Sequence, residues 1–149
     1  MALDIYNKIL YSGLSTAIMV AVSNPYTYQL FDKLVGSNSV ISVSGCPTIV
    51  GHLIHSLVFF ILIFVVMLLV NVVKKNDNKK SAWVLLKYSF YATLLFFIIT
   101  NTEIYKFVGM LTNNKSANSE GCPTTLGFII HSVVFFFVVF GVMFFPKDY

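Results

Sequence analysis

A stretch of 23 residues occurs twice in the chain, and it restricts the fold more than any other feature of the sequence. The first copy, residues 45–67, is GCPTIVGHLIHSLVFFILIFVVM, and the second, residues 121–143, is GCPTTLGFIIHSVVFFFVVFGVM. Fourteen of the 23 aligned positions are identical, and most of the others exchange one apolar residue for another. In each copy a short polar entry leads into an apolar run, and a helix needs about 20 apolar residues to cross a bilayer. The repeat therefore predicts two membrane-spanning helices of one kind.

Composition excludes a soluble domain. Hydrophobic residues make up 57% of the chain and charged residues 11%, and the mean hydropathy is +0.81. A soluble domain carries about 25% charged residues, mostly on its surface. The net charge of +4 comes from lysines that lie in predicted loops and near helix ends. No basic patch with interleaved aromatic residues accompanies them, so nucleic acid is not an expected partner.

Two further apolar segments give the chain four predicted transmembrane helices. The first of them carries Asp4 and Lys8 near its start and lacks a cleavage pattern, so it is predicted to be an uncleaved signal anchor. Pro47 and Pro123 are predicted to occupy the first turns of the repeated helices, where the missing N–H of proline costs nothing. The predicted fold class is all-α, a four-helix transmembrane bundle. Its helices cover about residues 3–23, 47–73, 82–100 and 123–145.

The duplication extends beyond the repeated stretch. The Tyr-Ser pair at residues 11–12 recurs at residues 88–89, and Asn24 recurs as Asn101. Residues 26–36 are amphipathic, as in a helix that lies in the membrane interface. Because each half has an even number of helices, both halves point the same way, which predicts a pseudo-two-fold axis along the membrane normal. The first repeat is predicted to cover residues 1–76 and the second residues 77–149.

Lysine placement predicts the side of the membrane on which each loop lies. Cytoplasmic loops carry an excess of lysine, and the larger lysine group falls with both termini, which predicts an N-in, C-in topology. The loops with the two cysteines then lie outside, together with Asn114, the acceptor of a candidate glycosylation sequon. The inner group is Lys8, Lys74, Lys75, Lys79, Lys80, Lys87 and Lys147, and the outer group is Lys33, Lys106 and Lys115.

Cys46 and Cys122 hold equivalent places in the two copies, on the side predicted to be oxidising. A disulfide between them would join the two halves, provided that their Cα atoms lie within about 7 Å of each other. The alternative is a pair of small apolar residues at two helix entrances. Both interpretations remain open at the level of sequence.

His55 and His131 also occupy matching places, each eight residues after the proline. They fall on a stripe of small and polar residues along an otherwise apolar helix, a pattern typical of a contact between membrane helices. Hydrogen bonding across that contact is the leading interpretation. The stripe consists of Thr48, Gly51, His55 and Ser56 in the first copy and of Thr124, Gly127, His131 and Ser132 in the second.

Two functional interpretations of the histidines are alternatives to hydrogen bonding across a helix contact. An imidazole pair at equal depth would suit the two axial positions of one haem, and ionisable residues inside a membrane would suit a proton or ion path. Neither interpretation is supported by a carboxylate within the membrane, because all six acidic residues lie near helix ends or in loops. His52 is replaced by Phe128 in the second copy and stands outside the symmetric set.

Catalytic patterns are missing from the sequence. We find no nucleophile with an adjacent base, no paired carboxylates, no phosphate-binding glycine loop and no cluster of metal ligands. The chain is therefore not expected to be an enzyme or to bind a metal or cofactor, apart from the haem alternative.

The run Gly-Cys-Pro-Thr-Thr-Leu-Gly-x-x-x-His-Ser-x-Val-Phe, residues 121–135, resembles a motif of small multi-pass membrane proteins of large double-stranded DNA viruses that have an internal membrane. The similarity covers the two repeated stretches, roughly a third of the chain. It implies a virion component in the membrane beneath an icosahedral capsid, which contacts minor capsid proteins through residues 74–80 and 26–45. It carries over no catalytic residue.

The sequence thus predicts a structural, multi-pass integral membrane protein. Its expected partners are the lipid bilayer and other membrane or capsid-shell proteins, or further copies of itself. The alternative is a small channel, transporter or haem-binding membrane protein that uses His55 and His131.

Overall fold

The structure is a computed structural model that describes residues 2–36, 39–73 and 79–145, with side chains from residue 5 onward. The described residues form six α-helices, joined by loops that contain two isolated β-bridges. The predicted all-α class is confirmed. The helices are α1 (Ala2–Val22), α2 (Pro25–Val35), α3 (Ile49–Val73), α4 (Ala82–Ile99), α5 (Thr102–Leu111) and α6 (Thr125–Val142).

Four of these helices are long and apolar enough to cross a membrane, which confirms the four predicted spans. They are α1 from Ile5 onward and the whole of α3, α4 and α6. Their outward surfaces carry many exposed large apolar side chains, and lipid is the solvent that suits such surfaces. The predicted topology is only partly covered, because Lys74, Lys75 and Lys147 lie outside the described residues.

An aromatic centre holds the bundle together. α3 packs along α4 and α1 packs along α6, and smaller contacts join α1 to α3 and α4 to α6. The Phe59 ring stacks on Phe96 at 4.4 Å between centroids and meets the edge of Phe135 at 6.0 Å. These three side chains and Met19 of α1 are fully buried. Because van der Waals packing drives the association of helices in lipid, this interlocked centre is a main source of the bundle's stability.

The two short helices, α2 and α5, each begin within three residues of the end of a span. α2 starts at Pro25, and the Asn24 side chain accepts the Tyr26 N–H at 3.0 Å. In α5 the Asn101 side chain accepts the Glu103 N–H at 2.9 Å. An asparagine at this position satisfies one of the free N–H groups of a helix start. The predicted interfacial segment is therefore a capped helix, and the second half contains a similar one.

Both prolines of the repeated stretch lie in loops rather than in helices. Pro47 pairs with Ile41 and Pro123 pairs with Ala117, each in an isolated antiparallel bridge. α3 and α6 begin two residues later than each proline. The prediction that the prolines occupy the first helical turn is therefore wrong, because backbone pairing within each loop keeps them extended until the helix starts.

Candidate functional site

His55 closes the end of a neighbouring helix. Its side chain is fully buried, and its Nδ1 lies 2.7 Å from the carbonyl oxygen of Val22, the last residue of α1. A carbonyl oxygen only accepts hydrogen bonds, so Nδ1 carries the proton and donates it. The last carbonyls of a helix have no partner within the helix. His55 therefore satisfies a polar group that the end of the span would otherwise leave exposed to an apolar environment.

His131 makes the corresponding contact in the second half. Its Nδ1 lies 2.6 Å from the carbonyl oxygen of Ile99, the last residue of α4, and the side chain is buried. The donor assignment is the same as for His55. Each repeated stretch thus ties its own helix to the end of the preceding span in the chain.

A tyrosine covers each histidine. The rings of Tyr28 and His55 are stacked at 3.7 Å between centroids, and those of Tyr105 and His131 at 3.8 Å. Both tyrosines are buried. Burial raises the pKa of both phenols above the usual range, and the nearby Tyr28 phenol adds to the shift in the pKa of Tyr105.

The remaining ring nitrogen of each histidine has no partner. Nε2 of His55 and Nε2 of His131 are buried without a hydrogen bond, and the Ser15 hydroxyl is the third such group among the described residues. With the proton on Nδ1, each Nε2 presents a lone pair. Such an atom can accept a hydrogen bond or act as a metal ligand, since metal-binding histidines commonly donate their other N–H to a carbonyl.

The space below the histidines is filled. Phe59 and Phe135 lie one helical turn further into the bundle, on the same faces as His55 and His131, and their rings touch. A haem held between the two imidazoles would have to displace the tyrosines or this aromatic centre. The described residues thus place the two imidazoles at comparable positions but surround them with tightly packed rings.

The Cys46–Cys122 disulfide is confirmed. The two Cα atoms are 5.1 Å apart, and the bond links residues that are 76 positions apart in the chain. Glu120 completes the one group of three metal-ligating side chains found among the described residues, with Oε2 lying 3.7 Å from Cys46 Sγ. Because a disulfide has no thiolate to offer, this group in its oxidised form is a covalent link between the loops rather than a metal site.

In the first half, Thr48 and Gly51 of the stripe contact the loop that precedes α3. The Thr48 hydroxyl donates to the Ser39 carbonyl at 2.5 Å and accepts the Gly51 N–H at 3.0 Å. A Cβ atom at Gly51 would overlap the carbonyl oxygen of Val40. The glycine is therefore needed for the close approach of the loop to α3.

The second half repeats these contacts. The Thr124 hydroxyl donates to the Lys115 carbonyl at 2.7 Å and accepts the Gly127 N–H at 3.2 Å. A Cβ atom at Gly127 would overlap the carbonyl oxygen of Ser116. Thus the threonine and glycine of the stripe face a loop in both halves, whereas the histidine faces the end of a helix.

The serines that follow the histidines bond within their own helices. Ser56 donates to the His52 carbonyl and Ser132 to the Phe128 carbonyl, both at 2.8 Å. This bonding to the carbonyl four residues earlier is a common use of serine inside helices. Neither hydroxyl makes a hydrogen bond to another helix.

Three residues important for this site were not singled out in the sequence. Tyr28 and Tyr105 cover the histidines, and Asp32 accepts the N–H groups of residues 40 and 41. The tyrosines had a sequence signal, because each lies four residues after the capping asparagine of its half. Asp32 had none, since nothing comparable occurs in the second half.

His52 and Asn114 lie at the edges of the site. His52 Nε2 is 3.0 Å from the Phe97 carbonyl, and its ring lines a shallow groove with Asn101 and Glu103. Asn114 is exposed in a turn, whereas Ser116 of the same sequon is buried. Glycosylation of Asn114 stays a prediction.

The protein is a multi-pass membrane protein with four candidate spans, tied by a disulfide and by two histidine–carbonyl contacts at the same end of the bundle. Comparisons with protein families, curated proteins and solved structures find no match.

Proposed function

We propose that the protein is a structural element of a membrane, with no enzymatic activity. The proposal rests on the hydrogen bonds that the polar groups of the repeated stretch make. The hydroxyls of Thr48 and Thr124 and the Nδ1 atoms of His55 and His131 all bond to carbonyls of the same chain. Groups used in this way fix loops and helix ends, so their effect is rigidity rather than turnover.

The proposed architecture is two parallel two-helix repeats with both termini inside. Contacts between the halves support it, because they are reciprocal. Ser12 Oγ lies 3.8 Å from Met143 Sδ, and Ser89 Oγ lies 3.5 Å from Met67 Sδ. A two-fold relation between the halves would generate such a pair of contacts from a single one.

The proposed setting rests on the resemblance of residues 121–135 to virion membrane proteins. There the protein lies in an internal membrane beneath a capsid, and its loops contact the shell. The disulfide supports a docking role for these loops, because a linked pair of loops loses little conformational freedom when a partner binds.

Lysine-specific cross-linking of the isolated native assembly tests this function. Lys115 is exposed on the loop of the second half, and Lys79 is exposed at the opposite end of the bundle. We expect Lys115 to form cross-links to a protein that lacks membrane spans, and mass spectrometry identifies the linked peptides. If both lysines react with the reagent but link only to lipid or within a single copy of the chain, the structural function is contradicted.

A second candidate function is favoured by one observation, the unpartnered Nε2 atoms of His55 and His131. In that case the protein is a small channel, a transporter or a haem carrier. Reconstituted vesicles and an absorption spectrum separate the two functions. A Soret band, or an ion flux that disappears when both histidines are replaced by phenylalanine, supports the second function. A featureless spectrum together with flux equal to that of empty vesicles supports the structural one.

A further inference from the structure

Within the part of the chain that the structure describes, α2 and α5 each have one face buried against the bundle and one exposed face. In α2 the buried side chains are Tyr28 and Asp32, while Tyr26, Leu30 and Leu34 form an exposed stripe on the opposite side. In a helix, residues four positions apart share a face, and residues two positions apart lie on nearly opposite faces. The exposed stripe of α2 is therefore a continuous apolar surface.

α5 presents a surface of the same kind. Its buried residues are Tyr105 and Gly109, and its exposed apolar side chains include Phe107 and Leu111. Glu103 lies one turn before Phe107 on the same face and forms an ion pair with Lys106 on the flank at 2.7 Å, so the apolar part of this face follows the first turn of α5. In α2 the corresponding flank carries Gln29 and Lys33, which are both exposed.

The direction of these stripes follows from the histidine–tyrosine pairs. Tyr28 and Tyr105 point toward the interior of the bundle, because they stack on His55 and His131. These histidines share the inward faces of their helices with the buried core residues one turn away. The opposite faces of α2 and α5 consequently point away from the bundle, at the level where α1 and α4 end.

With the four apolar helices as spans, that level corresponds to one surface of the membrane. α2 begins three residues after the end of α1, and α5 begins three residues after the end of α4, so both leave the same end of the bundle. The Thr27 hydroxyl donates to the Ala21 carbonyl at 2.7 Å, which fixes α2 against the end of its span. The two stripes thus lie next to the ends of the spans. Among the described residues at the opposite end of the bundle there is no helix outside the spans.

We propose that α2 and α5 form an amphipathic collar that is embedded in one leaflet, the leaflet on the side of the disulfide-linked loops, with its lipids as the binding partner. Each helix is about 15 Å long, and a helix with one apolar face and a charged flank lies at the boundary of head groups and acyl chains. The stripes enter the acyl region, whereas Gln29, Lys33 and the Glu103–Lys106 pair at the start of α5 face the head groups. The collar widens the protein in this leaflet alone, so the protein favours membranes that are convex on the loop side. The inference holds for either function proposed above.

Tryptophan fluorescence tests the embedding. Trp83 is the one tryptophan of the chain, and replacing it with phenylalanine gives a silent background for the variants Leu30→Trp and Phe107→Trp. Both positions are 56% exposed, so the substitutions leave the core intact. We expect blue-shifted emission that lipids brominated near the head of the acyl chain quench and that aqueous acrylamide does not.

Two control positions make the result decisive. Gln29→Trp on the flank of α2 should be quenched less by brominated lipid than Leu30→Trp, although it is the adjacent residue. Val43→Trp, at a loop position that is 95% exposed, should emit as in water. If acrylamide quenches Leu30→Trp and Phe107→Trp as strongly as Val43→Trp, the collar is not in the membrane.

Reconstitution into small and large vesicles tests the shape preference. We expect a larger fraction of molecules with the loops outside in small vesicles, measured by labelling of Lys115 with a membrane-impermeant reagent. The double variant Leu30→Gln with Phe107→Gln should lose this bias. Equal orientation in small and large vesicles for the unmodified protein would overturn the shape preference.

Discussion

The two halves of the molecule hold their corresponding loops in place with one side chain that is shared, the threonine of the stripe, and with one that differs. In the first half the Asp32 carboxylate accepts the N–H groups of Val40 at 3.0 Å and of Ile41 at 3.3 Å. In the second half the residue four positions after the stacked tyrosine is Gly109, which has no side chain to do this. There the hydroxyls of Thr112 and Ser116 are 2.6 Å apart. The Thr112 hydroxyl also accepts the N–H of Ser116, the counterpart of Val40, at 3.2 Å. The two loops are therefore anchored at the same backbone position by different side-chain acceptors.

The backbone contacts of the same loops are shared. Thr48 N–H donates to the Val40 carbonyl at 2.9 Å, and Thr124 N–H donates to the Ser116 carbonyl at 3.0 Å. The helix that follows each loop then places a histidine under a tyrosine. The comparison indicates that the two halves share the path of the loop backbone and the histidine–tyrosine pair. The side chain that anchors the loop can differ between the halves.

Removal of the disulfide should have the largest effect, because the disulfide is a covalent cross-link between the halves in addition to the chain itself. A Cys46→Ala, Cys122→Ala double variant loses a cross-link that typically stabilises by about 2–4 kcal/mol. We expect a lower melting temperature in detergent, measured by a thermal-shift assay. The reduced unmodified protein serves as the control and should melt at nearly the same temperature as the variant. Unchanged melting of both would show that the loops are held together without the bond.

Substitution of the two stripe glycines tests whether the halves are equivalent. Gly51→Ala and Gly127→Ala should each destabilise the protein by about 1–3 kcal/mol, because a Cβ atom forces the loop backbone away from the helix. Gly141→Ala is a matched control on α6, since nothing lies near its Cβ position. Alanine favours a helix over glycine by about 1 kcal/mol, so this control should be neutral or stabilising. Unequal losses at the two stripe glycines would contradict equivalence of the halves.

Loss of the Asp32 carboxylate should affect one half only. Asp32→Ala leaves two loop N–H groups without their acceptor, which costs about 1–3 kcal/mol when they stay buried. We expect faster hydrogen exchange at the amides of Val40 and Ile41, measured by mass spectrometry or NMR. The amides of residues 116 and 117 in the other loop should exchange as before. Faster exchange in both loops would mean that the anchors act on a common structure rather than locally.

Replacement of His52 by phenylalanine should have the smallest effect. Phe128 is the residue at this place in the second copy, and His52 contributes one hydrogen bond to the Phe97 carbonyl. Typical hydrogen bonds contribute about 0.5–1.5 kcal/mol net, and the larger apolar ring offsets part of that loss. We expect a change in melting temperature close to the error of a thermal-shift assay. A loss as large as that of Gly51→Ala would give His52 a role that its counterpart does not share.

The spans and their repetition could be predicted from sequence because they depend on composition and period. The apolar runs in residues 45–67 and 121–143 are long enough that lipid is the one solvent that suits them. The disulfide could be proposed but not decided, since the distance between Cys46 and Cys122 depends on how the halves pack.

The contacts of the stripe could not be predicted, because they depend on the path of the loops. Thr48 and Gly51 have the spacing of a helix contact, but the chain that approaches them is the loop before their own helix. Likewise Pro47 looks like a helix start, and only the pairing with Ile41 shows that it is not.

The disulfide also determines where the bundle can come apart. It closes a covalent ring that runs from Cys46 through α3, α4 and α5 to Cys122, with α1 and α2 in one tail outside the ring and α6 in the other. The N-terminal ends of α3 and α6 are thereby held together, so any separation of these helices has to start at their C-terminal ends. A protease that cuts the chain once between α3 and α4 would open the ring but release no fragment. The two pieces would migrate as one species until a reductant is added.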